Sequence, residues 1–300
     1  MRIGVDIGGT KLEAAAIDTE GTTCARRRVS TPKGDYAGTI EAIFDLVSSI
    51  EQEIGVSHAL GFGIPGTISP ATGLVKNAYN SPFNGHPLDR DLAVRFDRPV
   101  RLMNDANCFA LSEAKDGAGA GYGIVLGAIL GTGCGSGIMV NGELLTGANA
   151  ISGEWGHNPL PWPTRGELPG LECDCGKLGC IETFLSGTGL ERQHAELTAA
   201  RITAKEIVAL AESGNAQAGR SLALYEDRLA RALASIINVI DPNVIVLGGG
   251  LSNVDRLYEN VPKLWSQWIF SDRVDTRLLP PKFGDSSGVR GAAWLWAERE

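Results

Sequence analysis

Three apolar runs in this chain each end in a cluster of small residues. Arg2–Ile7 leads into Gly8-Gly9-Thr10, Ile124–Leu130 into Gly131-Thr132-Gly133, and Val244–Leu247 into Gly248-Gly249-Gly250. A buried strand that stops in glycines leaves backbone N–H groups exposed at a sheet end, with no Cβ to hold a ligand off. Such turns suit a phosphate, and the Thr10 and Thr132 hydroxyls add donors. A tight bend without a ligand explains any one of the turns equally well; the three together favour the phosphate. The first two also share a strand–turn–strand order, which suggests a short internal duplication.

The pattern between these turns predicts alternating strands and helices. Leu12–Ile17 and Thr22–Ser30 read as further strands of a meander, turned at Glu20-Gly21. Asp35–Ile54 reads as a helix capped by Asp35, with Ile40, Phe44, Val47 and Ile50 at helical spacing. His58–Ile64 and Val100–Met103 read as strands, the second followed by a helix from Ala106 to Asp116. Gly117–Gly123 reads as a hinge. Asn158–Gly170 carries four prolines, which exclude a regular element. Thr203 and Glu206 make a capping box before Ile207. An apolar stripe from Leu222 through Tyr225, Leu229, Leu233 and Ile236 to Ile240 stops at Asp241-Pro242. Gly248-Gly249-Gly250 opens the next helix, and Ser287–Trp296 reads as a terminal one. Strands alternating with helices imply an α/β architecture.

Composition narrows the function. With 300 residues, 43% hydrophobic and 21% charged, the chain can form one large domain or two lobes. A formal charge of −8 works against a nucleic-acid partner, which needs a basic face. It does not work against a nucleotide, whose phosphates can be held by backbone N–H groups and magnesium. Charges at Arg2 and Asp6 interrupt any signal-like run, and no stretch of 18 apolar residues occurs. A cytoplasmic protein without a membrane span is therefore expected. No Gly-x-x-x-x-Gly-Lys-Ser/Thr loop is present. Gly61-Phe-Gly-Ile-Pro-Gly66 fits the dinucleotide spacing by letter, but Pro65 and Pro70 spoil the helix that should follow.

Cys173-Asp-Cys175-Gly-Lys-Leu-Gly-Cys180 gathers three of the six cysteines, with His157 upstream. Three thiolates and one imidazole complete a tetrahedral zinc shell, so the expected ion is structural, with no position open for chemistry. Glu154 and His157 precede this loop and Glu182 follows it, so a zinc knot would draw both flanks together. Their carboxylates and imidazole suit sugar hydroxyls, although a solvated charge is the ordinary role of a glutamate. Asn104-Asp105 falls between a strand end and a helix start. Asp105 could cap the helix, or project as the base that deprotonates an attacking hydroxyl in phosphoryl transfer. The second role is the one expected of it.

Taken together, these residues make the chain similar to the ROK family (repressor, open reading frame, kinase) of the actin-like ATPase superfamily. Asp6-Ile-Gly-Gly-Thr-Lys11 resembles its first phosphate loop, Asn104-Asp-Ala-Asn107 its catalytic segment and Gly131-Thr-Gly133 its second phosphate loop. Gly153-Glu-Trp-Gly-His157 and Cys173–Cys180 resemble its substrate and zinc signatures, and Val246-Leu-Gly-Gly-Gly250 its adenosine-side loop. The likeness covers essentially the whole chain.

The resemblance implies an α/β, two-lobed actin-like ATPase (ribonuclease H-like) fold with its active site in the inter-lobe cleft. Residues 1–118 and 288–300 would form the smaller lobe, and 119–287 the larger. Asp105 would be the general base, and Asn104, Glu154, His157 and Glu182 would hold sugar hydroxyls. Gly8, Gly9, Thr10, Lys11, Gly131, Thr132, Gly133, Gly248, Gly249 and Gly250 would cradle ATP, with Asp6 facing Mg2+ through water. His157, Cys173, Cys175 and Cys180 would bind structural Zn2+, and a homodimer is implied.

Pro65–Asn77, Glu154–Trp162 and Gly284–Gly291 resemble bacterial fructokinases (mannofructokinases) most. Transfer of the ATP γ-phosphoryl group to the 6-hydroxyl of D-fructose is therefore the expected reaction. N-acetylglucosamine kinases share much of this pattern, and a broad hexokinase or glucokinase is a further alternative. The family's sugar-responsive repressors carry a helix-turn-helix ahead of the first phosphate loop, for which no room is expected before Asp6. The compact zinc signature argues against an actin- or chaperone-like ATPase.

Overall fold

The structure, a computed structural model, describes residues 1–79 and 81–296; the last four positions of the expected 288–300 segment lie outside the described residues. The chain opens with β1 (Arg2–Ile7), β2 (Lys11–Ile17) and β3 (Thr23–Ser30), then α1 (Tyr36–Ile54). Asp35 caps α1 by accepting from the Gly38 N–H at 2.8 Å, and Ile40, Ile43, Val47 and Ile50 are buried along it. β4 (Leu60–Ile64) precedes the small hairpin β5 (Thr67–Ile68) and β6 (Val75–Lys76). α2 (Leu88–Phe96), β7 (Val100–Asn104) and α3 (Asp105–Lys115) follow.

The chain continues through β8 (Ile124–Leu130), β9 (Cys134–Val140) and β10 (Glu143–Leu144). The proline-rich stretch is irregular apart from a short 3-10 turn at Arg165–Glu167. Then come α4 (Ile181–Leu185), α5 (Gly187–Thr198), α6 (Ala204–Glu212) and α7 (Ala216–Ile240). The capping box of α6 forms as expected, and Asp241 ends α7 in the left-handed region. β11 (Val244–Gly248) is followed by a 3-10 turn at Gly250–Asn253, so the third glycine cluster does not open a helix directly. α8 (Arg256–Trp265), β12 (Arg277–Leu279) and α9 (Ser287–Ala293) complete the chain, α9 ending three residues short of Trp296. Among the described residues, no helix is long and apolar enough to cross a membrane.

Two five-stranded sheets share one plan, β3-β2-β1-β4-β7 and β10-β9-β8-β11-β12. In the first, β1 pairs antiparallel with β2 and parallel with β4, and β4 pairs parallel with β7. In the second, β10 pairs antiparallel with β9, and β11 runs parallel to both β8 and β12. The duplication suggested by two glycine turns thus extends to the order of whole sheets.

Two compact units result. Unit 1 holds Met1–Gly121, Gly137–Ser152 and the chain from Lys282 onward; unit 2 holds Tyr122–Ser136 and Gly153–Pro281. The sequence reading put 119–287 in one lobe, whereas here Gly137–Ser152 joins unit 1. The cause is local: Gly137 lies directly on α3, where a Cβ would come within 2.7 Å of Asn107 Cα and Ala110 Cβ. Glu113, fully buried, holds the C-terminal segment by accepting from the Ser287 hydroxyl (2.7 Å) and the Lys282 N–H (3.1 Å). Gly61, the first letter of the dinucleotide-like string, lies inside β4, and a Cβ there would collide with the Ala292 carbonyl of α9. Its role is close helix–sheet packing.

Candidate active site

In unit 1 the ends of three parallel strands carry the polar groups. Asp6 of β1 stands opposite Gly63 of β4, and Asn104 of β7 opposite Ile64. The Gly8-Gly9-Thr10 turn closes with the Gly8 N–H donating to the Lys11 carbonyl at 3.0 Å. The Lys11 ammonium reaches to 3.8 Å from Glu13. Gly63 and Gly288 lie beside the Asp6 carboxylate; a Cβ on either would stand 3.6 Å from it, an ordinary contact. Burial, then the charges of Asp105 and Glu13, push the Asp6 carboxyl up to about 7, against the pull of Lys11 and Arg28. A buried acid raised by neighbouring carboxylates marks a position suited to a cation, and carboxylate oxygens fit Mg2+.

Asn104 rather than Asp105 caps α3. Its Oδ1 accepts from the Ala106 N–H at 3.0 Å and the Asn107 N–H at 3.3 Å, while its Nδ2 donates to the Gly66 carbonyl at 3.2 Å. Asp105, the first residue of α3, accepts from the Ala106 N–H through Oδ1 at 2.8 Å.

In unit 2 two glycine turns meet. Gly249, at φ +78°, packs so closely that a Cβ would stand 2.5 Å from the Leu130 carbonyl and 2.9 Å from the Gly131 nitrogen. Gly187 donates to the Gly131 carbonyl at 2.8 Å, bringing the start of α5 to the same place. Beside them lies a cavity of about 820 Å³, with Thr132, Thr188, Glu191, Lys205, Gly250 and Asn253 among its walls. That volume suits a nucleotide-sized ligand. Thr188, Glu191, Lys205 and Asn253 were not anticipated; the small-residue run Ser186-Gly-Thr-Gly189 was the available signal.

The donor atoms of His157, Cys173, Cys175 and Cys180 all lie within 4.8 Å of one another. Cys173 Sγ is 3.5 Å from His157 Nδ1, and Cys175 Sγ is 3.6 Å from Cys180 Sγ. Zn–S bonds of about 2.3 Å in a tetrahedron put sulfurs about 3.8 Å apart, so the set fits zinc. The chain before it is pinned to β9. A Cβ at Gly153 would meet the Ser136 carbonyl and one at Gly156 the Cys134 carbonyl. Buried Trp155 donates its indole N–H to the Gly135 carbonyl at 3.1 Å. Glu154, just before Trp155, is partly buried. Glu182, in the first turn of α4, accepts from the Cys134 N–H at 2.9 Å and lies 3.7 Å from Cys173 Sγ. It joins the second glycine turn to the cysteine loop.

One functional support escaped the sequence reading. Buried Glu167 accepts from Arg228 Nε and Arg231 Nη2, both at 2.8 Å, and so ties the proline-rich loop to α7. Burial opposes its ionisation, yet the hydrogen bonds from Arg231 and Arg228 hold its carboxyl down at about 2.

Repeated α/β units, glycine turns at strand ends and a strand-end carboxylate pair define a protein of the two-lobed actin-like ATPase class. The ROK family profile matches residues 2–299, and the chain belongs to that family. It is 40% identical over 301 residues to the N-acetyl-D-glucosamine kinase of Haemophilus influenzae (strain 86-028NP), covering 99% of each. Its structure is similar to that of a ROK family glucokinase from Streptomyces griseus in complex with glucose and AMPPNP, at TM-score 0.83, 31% identity and 98% coverage of both chains. A ROK hexokinase from Thermus thermophilus matches at TM-score 0.85 and 30% identity, over 97% of this chain and 96% of that one.

Proposed function

We propose that this chain is an ATP-dependent sugar kinase that phosphorylates the 6-hydroxyl of N-acetyl-D-glucosamine. The chemistry rests on one observation, the Asp105 carboxylate at the β7–α3 junction with its charge felt at Asp6. Asp105 takes the proton as the 6-oxygen attacks the γ-phosphorus in line; the bond to the bridging oxygen breaks and ADP leaves. Backbone N–H groups of the glycine turns stabilise charge on the phosphates. Asp6 would face Mg2+, which when bound would offset the remaining phosphate charge. Asn104, Glu154, His157 and Glu182 hold sugar hydroxyls. His157, Cys173, Cys175 and Cys180 would hold a structural zinc ion, and so would pin the flanks bearing Glu154 and Glu182.

The full-length relatives, N-acetyl-D-glucosamine kinases at 39–40% identity, support this acceptor. They favour this sugar over the D-fructose expected from three local stretches. A coupled ADP-release assay over N-acetylglucosamine, glucose, mannose and fructose tests the choice. N-acetylglucosamine should lead in kcat/KM by at least about tenfold, the discrimination a small substituent allows. Preference for fructose would overturn this reading and restore the fructokinase.

A further inference from the structure

Unit 1 contains a second cavity, of about 180 Å³, that the proposed chemistry does not use. Its walls include Ile64, Ile68 and Met103 on one hand and Thr67, Asn107 and Thr146 on the other. Met103 and Asn107 stand two residues to either side of Asp105, and Ile64 is the register partner of Asn104. The space therefore adjoins the segment assigned to the acceptor.

We infer that this cavity receives the 2-acetamido group of the acceptor, an inference that rests on the kinase reading above. An acetamido group needs a place for a methyl, a donor for its carbonyl and an acceptor for its N–H. The three apolar walls provide the first. Asn107 can provide the other two: it is buried and, among the described residues, its Oδ1 has no hydrogen-bond partner and its Nδ2 reaches only the weakly accepting Met103 sulfur at 3.6 Å. A buried amide left so poorly paired is costly unless a ligand completes it. The Thr67 and Thr146 hydroxyls add donors at the walls. Water takes about 30 Å³ in the liquid, so the cavity accommodates four heavy atoms with space to spare. A sugar bearing only a hydroxyl at carbon 2 would leave the apolar walls facing water.

Two variants test this. Thr146 lies exposed on a loop, so Thr146→Leu can narrow the cavity without disturbing the core. Asn107→Ala removes the amide, with circular dichroism and thermal unfolding checking that the fold survives. Steady-state kinetics and calorimetric binding with N-acetylglucosamine and glucose are compared in each. Each variant should lose about tenfold or more in kcat/KM for N-acetylglucosamine, the scale of a mismatched pocket, with glucose changed less than about twofold. Affinity for N-acetylglucosamine should fall in parallel. Parallel losses for both sugars, or no change for either, would overturn the pocket while leaving the kinase reading intact. A wild-type protein that ignores N-acetylglucosamine but phosphorylates another hexose would overturn the pocket and the acceptor proposed above, and leave the phosphotransfer itself standing.

Discussion

Asn104 and Asp105 divide two tasks that the sequence offered to one carboxylate. The amide caps α3, and the acid, one residue later, is the proposed base. Asp105→Asn keeps the shape and removes the basicity. It should lower kcat by about 10²–10⁴-fold, with calorimetric affinity for the sugar unchanged. Near-normal turnover would remove Asp105 from the role. Glu167 makes a second test. Its folded value of about 2 lies below the ordinary 4.5, so its stabilisation is complete above about pH 4.5 and is lost as pH falls towards 2. Urea unfolding of Glu167→Gln should show a flatter pH dependence than wild type across that window; an unchanged slope would contradict the ion-pair account. The cysteine–histidine set was legible because its members are close in sequence. Glu167 was not, because Arg228 and Arg231 lie 61 and 64 residues away and no local pattern joins them.

At the scale of elements, strands with continuous apolar runs and helices with side-chain caps could be read directly: β1, β8 and α1 match their expected spans closely, and α6 starts at its expected capping box. α2 follows Pro87 and has no side-chain cap, and α8 carries Pro262 inside it, so both lack the usual signals. The glycines of β1 and β4 are explained by what lies over them: α9 sits where Gly4 and Gly61 have no side chain. The cysteine loop has its own test. Glu182 joins it to the second glycine turn, and Trp155 pins the chain before it to β9. Stripping the metal with a chelator should weaken sugar affinity before nucleotide affinity, followed by metal analysis and calorimetry on the same sample. Release of the metal with sugar affinity unchanged would contradict the structural role.

For the whole molecule, sequence reading reached the α/β class and the family because its motifs sit at strand ends, where periodicity and glycine are strongest. The grouping of Gly137–Ser152 with unit 1 is not legible in sequence, since membership of a compact unit depends on what Gly137 packs against rather than on chain order. Asp6 and Asp105 belong to unit 1; the cysteine–histidine set and the nucleotide-sized cavity belong to unit 2. A kinase built this way should consume ATP in step with sugar phosphate and very little without sugar. Parallel measurement of ADP and hexosamine phosphate, with and without N-acetylglucosamine, tests that most directly. One ADP per sugar phosphate, and a rate at least about a hundredfold lower without acceptor, is the expected result. ATP consumption that proceeds equally well without any sugar would contradict it.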